Sequence, residues 1–200
     1  MARTVCQHRL EAILTATSKV VKVRGAQASM AEIAREAGVS KQTLYNRFGS
    51  KEALVLALAT RRPMAIAATL EAADSFADVE ATLYAFARLL LQTCLASDDV
   101  AITRLAAVNV GAAPEMATAV YEAGPKKVVR ALEVFMVAAD AAGQLNCPDP
   151  GQAAEFFASM VVGMRQIDRL LGATLESLEP QFEHVAREAA LRFVRAYGPA

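Results

Sequence analysis

Apolar positions along the first quarter of the chain recur with the period of a helix, and polar caps separate the runs. Leu10, Ile13, Leu14, Thr17 and Val21 share one helical face, which predicts a first helix over 4–23, ended by Arg24-Gly25-Ala26-Gln27. Ser29-Met30-Ala31-Glu32 reads as a capping box: the Ser29 hydroxyl accepts an amide three residues on, and Glu32 reaches back. A short second helix then runs to Ala37, with Ile33, Ala34 and Ala37 inward. Gly38 stops it, because glycine takes the left-handed stop conformation without penalty. Val39 fills the corner, and Ser40 caps a third helix over 41–48 with Leu44 and Phe48 one turn apart on a single face. Gly49-Ser50 breaks the pattern again. Ser50 caps a fourth helix from Lys51, with Leu54, Ala57 and Leu58 inward, that continues past Pro63; the proline either kinks it or ends it.

The remainder reads as longer helices with short breaks, over 78–96, 98–110 and 114–142, the last interrupted at Gly124-Pro125. Asn146-Cys147-Pro148-Asp149-Pro150-Gly151 reads as a loop, followed by helices over 152–171 and 180–197. Alanine is abundant and β-branched or aromatic runs are scarce, so the expected fold class is all-α. The expected division is an N-terminal three-helix module over 1–62 and a larger helical domain over 63–200.

Two short capped helices separated by Gly38-Val39-Ser40 make a helix-turn-helix. Small residues at Ala34 and Gly38 let the helices approach, and Val39, Leu44 and Phe48 form a mini-core that fixes their angle. The exposed face of the third helix then carries Lys41, Gln42, Thr43, Tyr45, Asn46 and Arg47. These are donors, acceptors and cations with one aromatic, the equipment for a major groove and its flanking phosphates. An ordinary solvated face is the alternative. Charge changes that balance. The chain is formally neutral, yet residues 1–62 hold 11 Lys and Arg against four Asp and Glu, a net +7, and the rest is −7. A basic module suits phosphate, and an acidic body suits something else. The charge argues against a helical carrier, and the varied third-helix face against a sequence-blind architectural binder.

The run from Ser29 to Leu54, Ser-Met-Ala-Glu-Ile-Ala-Arg-Glu-Ala-Gly-Val-Ser-Lys-Gln-Thr-Leu-Tyr-Asn-Arg-Phe-Gly-Ser-Lys-Glu-Ala-Leu, closely resembles the DNA-binding segment of the TetR family of bacterial regulators. The segment from Pro114 to Pro125 is similar to one found in a branch of that family's bodies. Residues 23–28, Val-Arg-Gly-Ala-Gln-Ala, depart from the aromatic-containing turn that members often carry. The resemblance implies that Lys41, Gln42, Thr43 and Asn46 face the groove, with Gln42 and Thr43 on base edges and Tyr45 on the phosphate backbone. Ser29 and Lys51 become phosphate-contact candidates, since helix N-termini attract anions. Arg47 stays open between the two roles.

A single such module makes few contacts, so these proteins pair on a double-stranded, inverted-repeat operator. Phe156, Met160, Met164 (or Gly163), Ile167 and Leu171 form an apolar stripe on the penultimate helix, and Phe182, Val185, Ala189 and Phe193 one on the last. The resemblance implies that these two helices pair with their symmetry mates in a homodimer; the alternative places both stripes in one subunit's core. It also implies that the 63–200 domain binds a small effector among its middle helices. Tyr84, Phe86, Cys94, Met116, Tyr121, Phe135, Met136 and Phe157 are candidate lining, and Arg88, Arg104 and Asn109 candidate polar contacts. That composition suggests an apolar or aromatic effector. Binding that prefers another spacing of the recognition helices would release DNA, giving a repressor.

Catalytic motifs are missing. His8 and His184 lie far apart, and no zinc-binding His-Glu-x-x-His, phosphate loop or nucleophile elbow occurs. Asp98-Asp99 reads as a helix N-terminus. An enzyme, a metal site and a cofactor are therefore not expected. Cys6, Cys94 and Cys147 are scattered and odd in number, which fits a reducing cytoplasm rather than a disulfide framework. The first residues lack the apolar core of a signal peptide, and the nine-residue apolar run ending at Met164 is too short for a membrane span.

Overall fold

The computed structural model describes residues 2–71, 77–172 and 179–199, which form twelve α-helices and no strand. The all-α expectation holds. In chain order the helices are α1 (Ala2–Arg24), α2 (Met30–Glu36), α3 (Lys41–Phe48), α4 (Lys51–Ala59), α5 (Arg61–Ala68), α6 (Val79–Cys94), α7 (Ser97–Val108), α8 (Pro114–Ala123), α9 (Pro125–Ala141), α10 (Pro150–Val162), α11 (Met164–Leu171) and α12 (Glu179–Tyr197). A 3-10 turn over Gly25–Gln27 follows α1. The chain gathers into two compact units: Met1–Arg61 with Ser97–Ala123, and Arg62–Ala96 with Gly124–Ala200.

The first unit is built on α1. Its apolar face buries Ile13, Leu14 and Val21 with Ile33 of α2, Leu44 of α3 and Leu54 of α4. Thr17 lies on the same face, fully buried, and its hydroxyl donates to the Ile13 carbonyl at 2.7 Å, so no polar group is stranded. Helix α7 packs along α1 and α8 along α4, adding Ile102, Leu105 and Val120 to this core. Asp98, in the first turn of α7, pairs with Lys22 at 2.8 Å.

The second unit centres on α12 against α6, with α10 packed on both and on α9. A run of rings fills its middle. Phe86 and Phe157 lie 6.2 Å apart, Phe157 and Phe193 meet edge-on at 5.0 Å, and Phe193 stacks on Tyr197 at 4.5 Å. Burying each such ring is worth roughly 1.5–3 kcal/mol. The Tyr84 hydroxyl on α6 donates to Glu183 on α12, and Arg187 reaches the same carboxylate at 3.1 Å. That bond raises the Tyr84 pKa and lowers that of Glu183.

Three sequence expectations need correction. The fourth helix does not run past Pro63. It ends at Ala59, where the Thr60 hydroxyl donates to the Ala57 carbonyl at 3.1 Å, and Pro63 falls in the first turn of α5, where an amide has no helical partner to lose. The predicted 152–171 helix is two helices. Gly163 breaks it at φ 51°, a conformation that a side chain would strain, and α10 starts two residues early because Asp149 caps it, accepting from Gln152 N at 2.9 Å. Finally, the stripe on the last helix belongs to the chain's own core. Phe182, Ala189 and Phe193 are buried with Ala186 and Ala190, under α6 and α10. The stripe on α10 and α11 is exposed throughout.

Candidate nucleic-acid interface

Each helix of the α2–α3–α4 segment starts on a serine. The Ser29 oxygen accepts from the Glu32 amide at 3.2 Å, while Glu32 takes the Ser29 amide at 3.1 Å and its hydroxyl at 2.8 Å. The capping box forms as expected. These Ser29 bonds, followed by the nearby Arg24 guanidinium at 3.2 Å, hold the Glu32 carboxyl below its ordinary pKa. Ser40 accepts from the Thr43 amide at 3.0 Å, and Ser50 from the Ala53 amide at 3.1 Å.

The turn between α2 and α3 is a Schellman stop. Val39 N–H donates to the Ala34 carbonyl at 3.0 Å, Gly38 N–H to the Arg35 carbonyl at 3.3 Å, and Gly38 sits at φ 65°. A Cβ on Gly38 would meet nothing within 4 Å. Glycine is therefore needed for the backbone angle, not for close approach as its size suggested. Ala34 is buried as expected. Leu44 is fully buried and Val39 and Phe48 pack partly against the same core, so the inner face of α3 is fixed.

The outer face of α3 is then displayed. Lys41, Gln42, Tyr45, Asn46 and Arg47 are exposed and Thr43 is half-buried. These side chains are tied to one another. Gln42 Nε2 donates to Asn46 Oδ1 at 2.7 Å, the Lys41 ammonium lies 5.6 Å from the centre of the Tyr45 ring, and the hydroxyls of Ser40 and Thr43 are 2.8 Å apart. Arg47 lies over Phe48 at 5.9 Å. Lys51, at the start of α4, reaches back to the Ala26 carbonyl at 3.1 Å, which anchors the 3-10 turn and leaves two N–H groups. Lys41, Gln42, Thr43, Tyr45 and Asn46 thus share one short helix, whereas Ser29 and Lys51 stand at the starts of its neighbours. The apolar pattern is silent on the Gln42–Asn46 bond; the i, i+4 spacing of two side-chain amides is the sequence signal for it.

The candidate effector residues are divided between the two units. Tyr84, Phe86, Cys94, Phe135, Met136 and Phe157 belong to the second unit, whereas Met116 and Tyr121 are on α8 in the first. Asn109 donates to the Leu105 carbonyl one turn back at 2.7 Å, an ordinary helical back-bond. Arg104 lines an open groove of about 430 Å³ with Lys22, Arg24, Val21, Leu105 and Val108. The Cys147 thiol is buried, and burial, followed by the neighbouring Asp140, pushes its pKa up. Among the described residues no cluster of three or more His, Cys, Asp or Glu could hold a metal, and no helix is long and apolar enough to cross a membrane.

Residues 13–58 match the family model described as bacterial regulatory proteins, tetR family, and residues 81–199 match an AefR-like transcriptional repressor C-terminal domain. No curated protein matches the chain. Among solved structures, the flavonoid-responsive regulator FrrA is 34% identical, with 96% of this chain and 98% of that one covered and a TM-score of 0.70. A TetR-family regulator from Mesorhizobium loti MAFF303099 superposes with a TM-score of 0.81 at 24% identity, covering 96% and 98% of the two chains. A TetR regulator from Agrobacterium tumefaciens gives 0.69 at 22% identity, covering 95% and 94%. One family model thus lies on the helix-turn-helix and another spans more than half of the chain; this protein belongs to the TetR family of DNA-binding transcriptional regulators.

Proposed function

We propose that this protein is a cytoplasmic repressor that binds a palindromic operator as a homodimer and leaves it when a small aromatic effector binds. The observation that carries this reading is α3, whose inner face is locked by Leu44 while Lys41, Gln42, Thr43, Tyr45 and Asn46 are presented outward. Gln42 and Thr43 meet base edges, Lys41 and Asn46 line the groove beside them, and Tyr45 meets the backbone. Ser29 and Lys51 sit at helix starts whose first amides have no helical partner; the amides that follow Ser29 and the Lys51 ammonium meet phosphates on either side.

In this reading residues 1–62 are the DNA-binding module and residues 63–200 carry effector binding and dimerisation. The exposed row Phe156, Met160, Met164, Ile167 and Leu171 on α10 and α11 supplies the seam between copies, together with the outer side of α12. The flavonoid-responsive neighbour makes a flavonoid-type polyphenol the effector class to try first. An effector that favours a recognition-helix spacing mismatched to successive grooves shifts the population away from the DNA-competent state.

The test begins with selection of sites from a random duplex pool. An inverted repeat, with half-sites about 10 base pairs or a multiple apart and affinity falling steeply with salt, is the expected result. Absence of any enriched repeat would overturn the repressor reading. Titrating quercetin into the complex then tests the effector class; unchanged operator affinity would exclude it.

A further inference from the structure

We propose that Gln42 reads an adenine in each operator half-site and that Asn46 is the positioning residue that aims it. This rests on the operator-binding reading above and deepens it to a base identity. A glutamine on an exposed helix has several torsions and two amide orientations, so unaided it offers donor and acceptor in either order. Here the order is set. Gln42 Nε2 donates to Asn46 Oδ1 at 2.7 Å, one helical turn on, which turns the amide nitrogen toward the C-terminal end of α3 and leaves Oε1 on the other side.

What remains available defines the base. One of the two N–H groups of Gln42 is engaged, so Oε1 and the second N–H are left as an acceptor beside a donor. Adenine presents the complement in the major groove, a donor at N6 and an acceptor at N7. Guanine presents two acceptors and would set O6 against Oε1. Of the other polar groups on this face, the Thr43 hydroxyl lies 2.8 Å from that of Ser40 and the Lys41 ammonium lies over the Tyr45 ring. Asn46 is the contact that orients Gln42, and its shorter side chain makes it the stiffer half of the pair.

The experiment measures affinity for the selected repeat by fluorescence anisotropy, with each half-site base varied in turn. At the position whose preference disappears in Gln42→Ala, the wild type favours adenine over guanine by about tenfold or more. Replacing that adenine with 7-deazaadenine costs a comparable factor in the wild type and nothing in Gln42→Ala. Asn46→Ala drives the adenine-to-guanine ratio toward parity. Asn46→Asp, which keeps the acceptor, restores the ratio despite weaker overall binding. A base other than adenine at that position, or a ratio that survives Asn46→Ala, overturns the proposal and leaves operator binding standing. Failure to select any repeat overturns the repressor reading, and this inference with it.

Discussion

The outward rows of α3 and of α10–α11 are both exposed, yet they are built in opposite ways. On α3 the side chains are polar and ordered by one another, through the Gln42–Asn46 bond, the Lys41–Tyr45 contact and the Ser40–Thr43 pair. On α10–α11 they are apolar and bare; Met164 and Leu171 are 69% and 82% exposed. A polar row is stable in water, so its meaning lies in the sequence of donors and acceptors it displays. An apolar row of five large side chains is a liability in water, and its meaning lies in what covers it. The first points to a polar surface read atom by atom, the second to another apolar surface matched by shape.

The largest expected effect breaks the second row. Met160→Glu places a charge where the proposed seam excludes water, at a cost of several kcal/mol. Analytical ultracentrifugation should show monomer, operator affinity should collapse, and the circular dichroism spectrum should stay helical; a dimer that survives would remove the seam from α10. Next comes the support beneath the first row. Leu44→Ala empties a fully buried site and should lower stability by about 2–5 kcal/mol in urea denaturation, whereas Tyr45→Phe on the outer face should leave it within about 0.5 kcal/mol.

Smaller effects sharpen the picture of the turn. Gly38→Ala meets no neighbour, so its cost is backbone strain alone, about 1–3 kcal/mol of unfolding free energy, with the mutant still folding. A larger loss would mean that packing at the turn matters too. The smallest effect is the titration of Glu32. Its pKa is depressed in the folded protein, so the stability it lends is fully present above the ordinary carboxylate range and is lost as pH falls through the depressed value. Glu32→Gln should flatten the acid limb of the stability profile slightly; an unchanged limb would show that the capping box contributes no proton linkage.

The helix-turn-helix was legible because its determinants are local. Ser29, Ser40 and Ser50 cap helices three residues ahead, Gly38 takes an angle that follows from its lack of a Cβ, and α3 spans the 41–48 expected from those caps. The body was legible in outline and wrong in detail. Pro63 suggested a kink or an end, but α4 stops before it, at Ala59, on a threonine that hydrogen-bonds its own helix. Gly163 fits the spacing of the apolar stripe, but its φ of 51° divides the 152–171 segment into α10 and α11. Glycine is tolerated inside a helix at about 1 kcal/mol, so only the surrounding packing decides whether it breaks one.

The two apolar stripes mark where reading along the chain stops. On paper Phe156, Met160, Ile167 and Leu171 look the same as Phe182, Val185, Ala189 and Phe193: large apolar groups at helical spacing. Periodicity establishes that each has a face to bury, since that depends only on residues a turn apart. It carries no information about which elements will lie on that face. In the folded chain α6 and α10 cover α12, so its stripe becomes core, and the α10–α11 stripe stays bare. Caps, the stop at Gly38 and the polar order of α3 are decided within one turn of helix, whereas the division between core and surface is decided by segments distant in sequence, through contacts that exist only once the chain has folded.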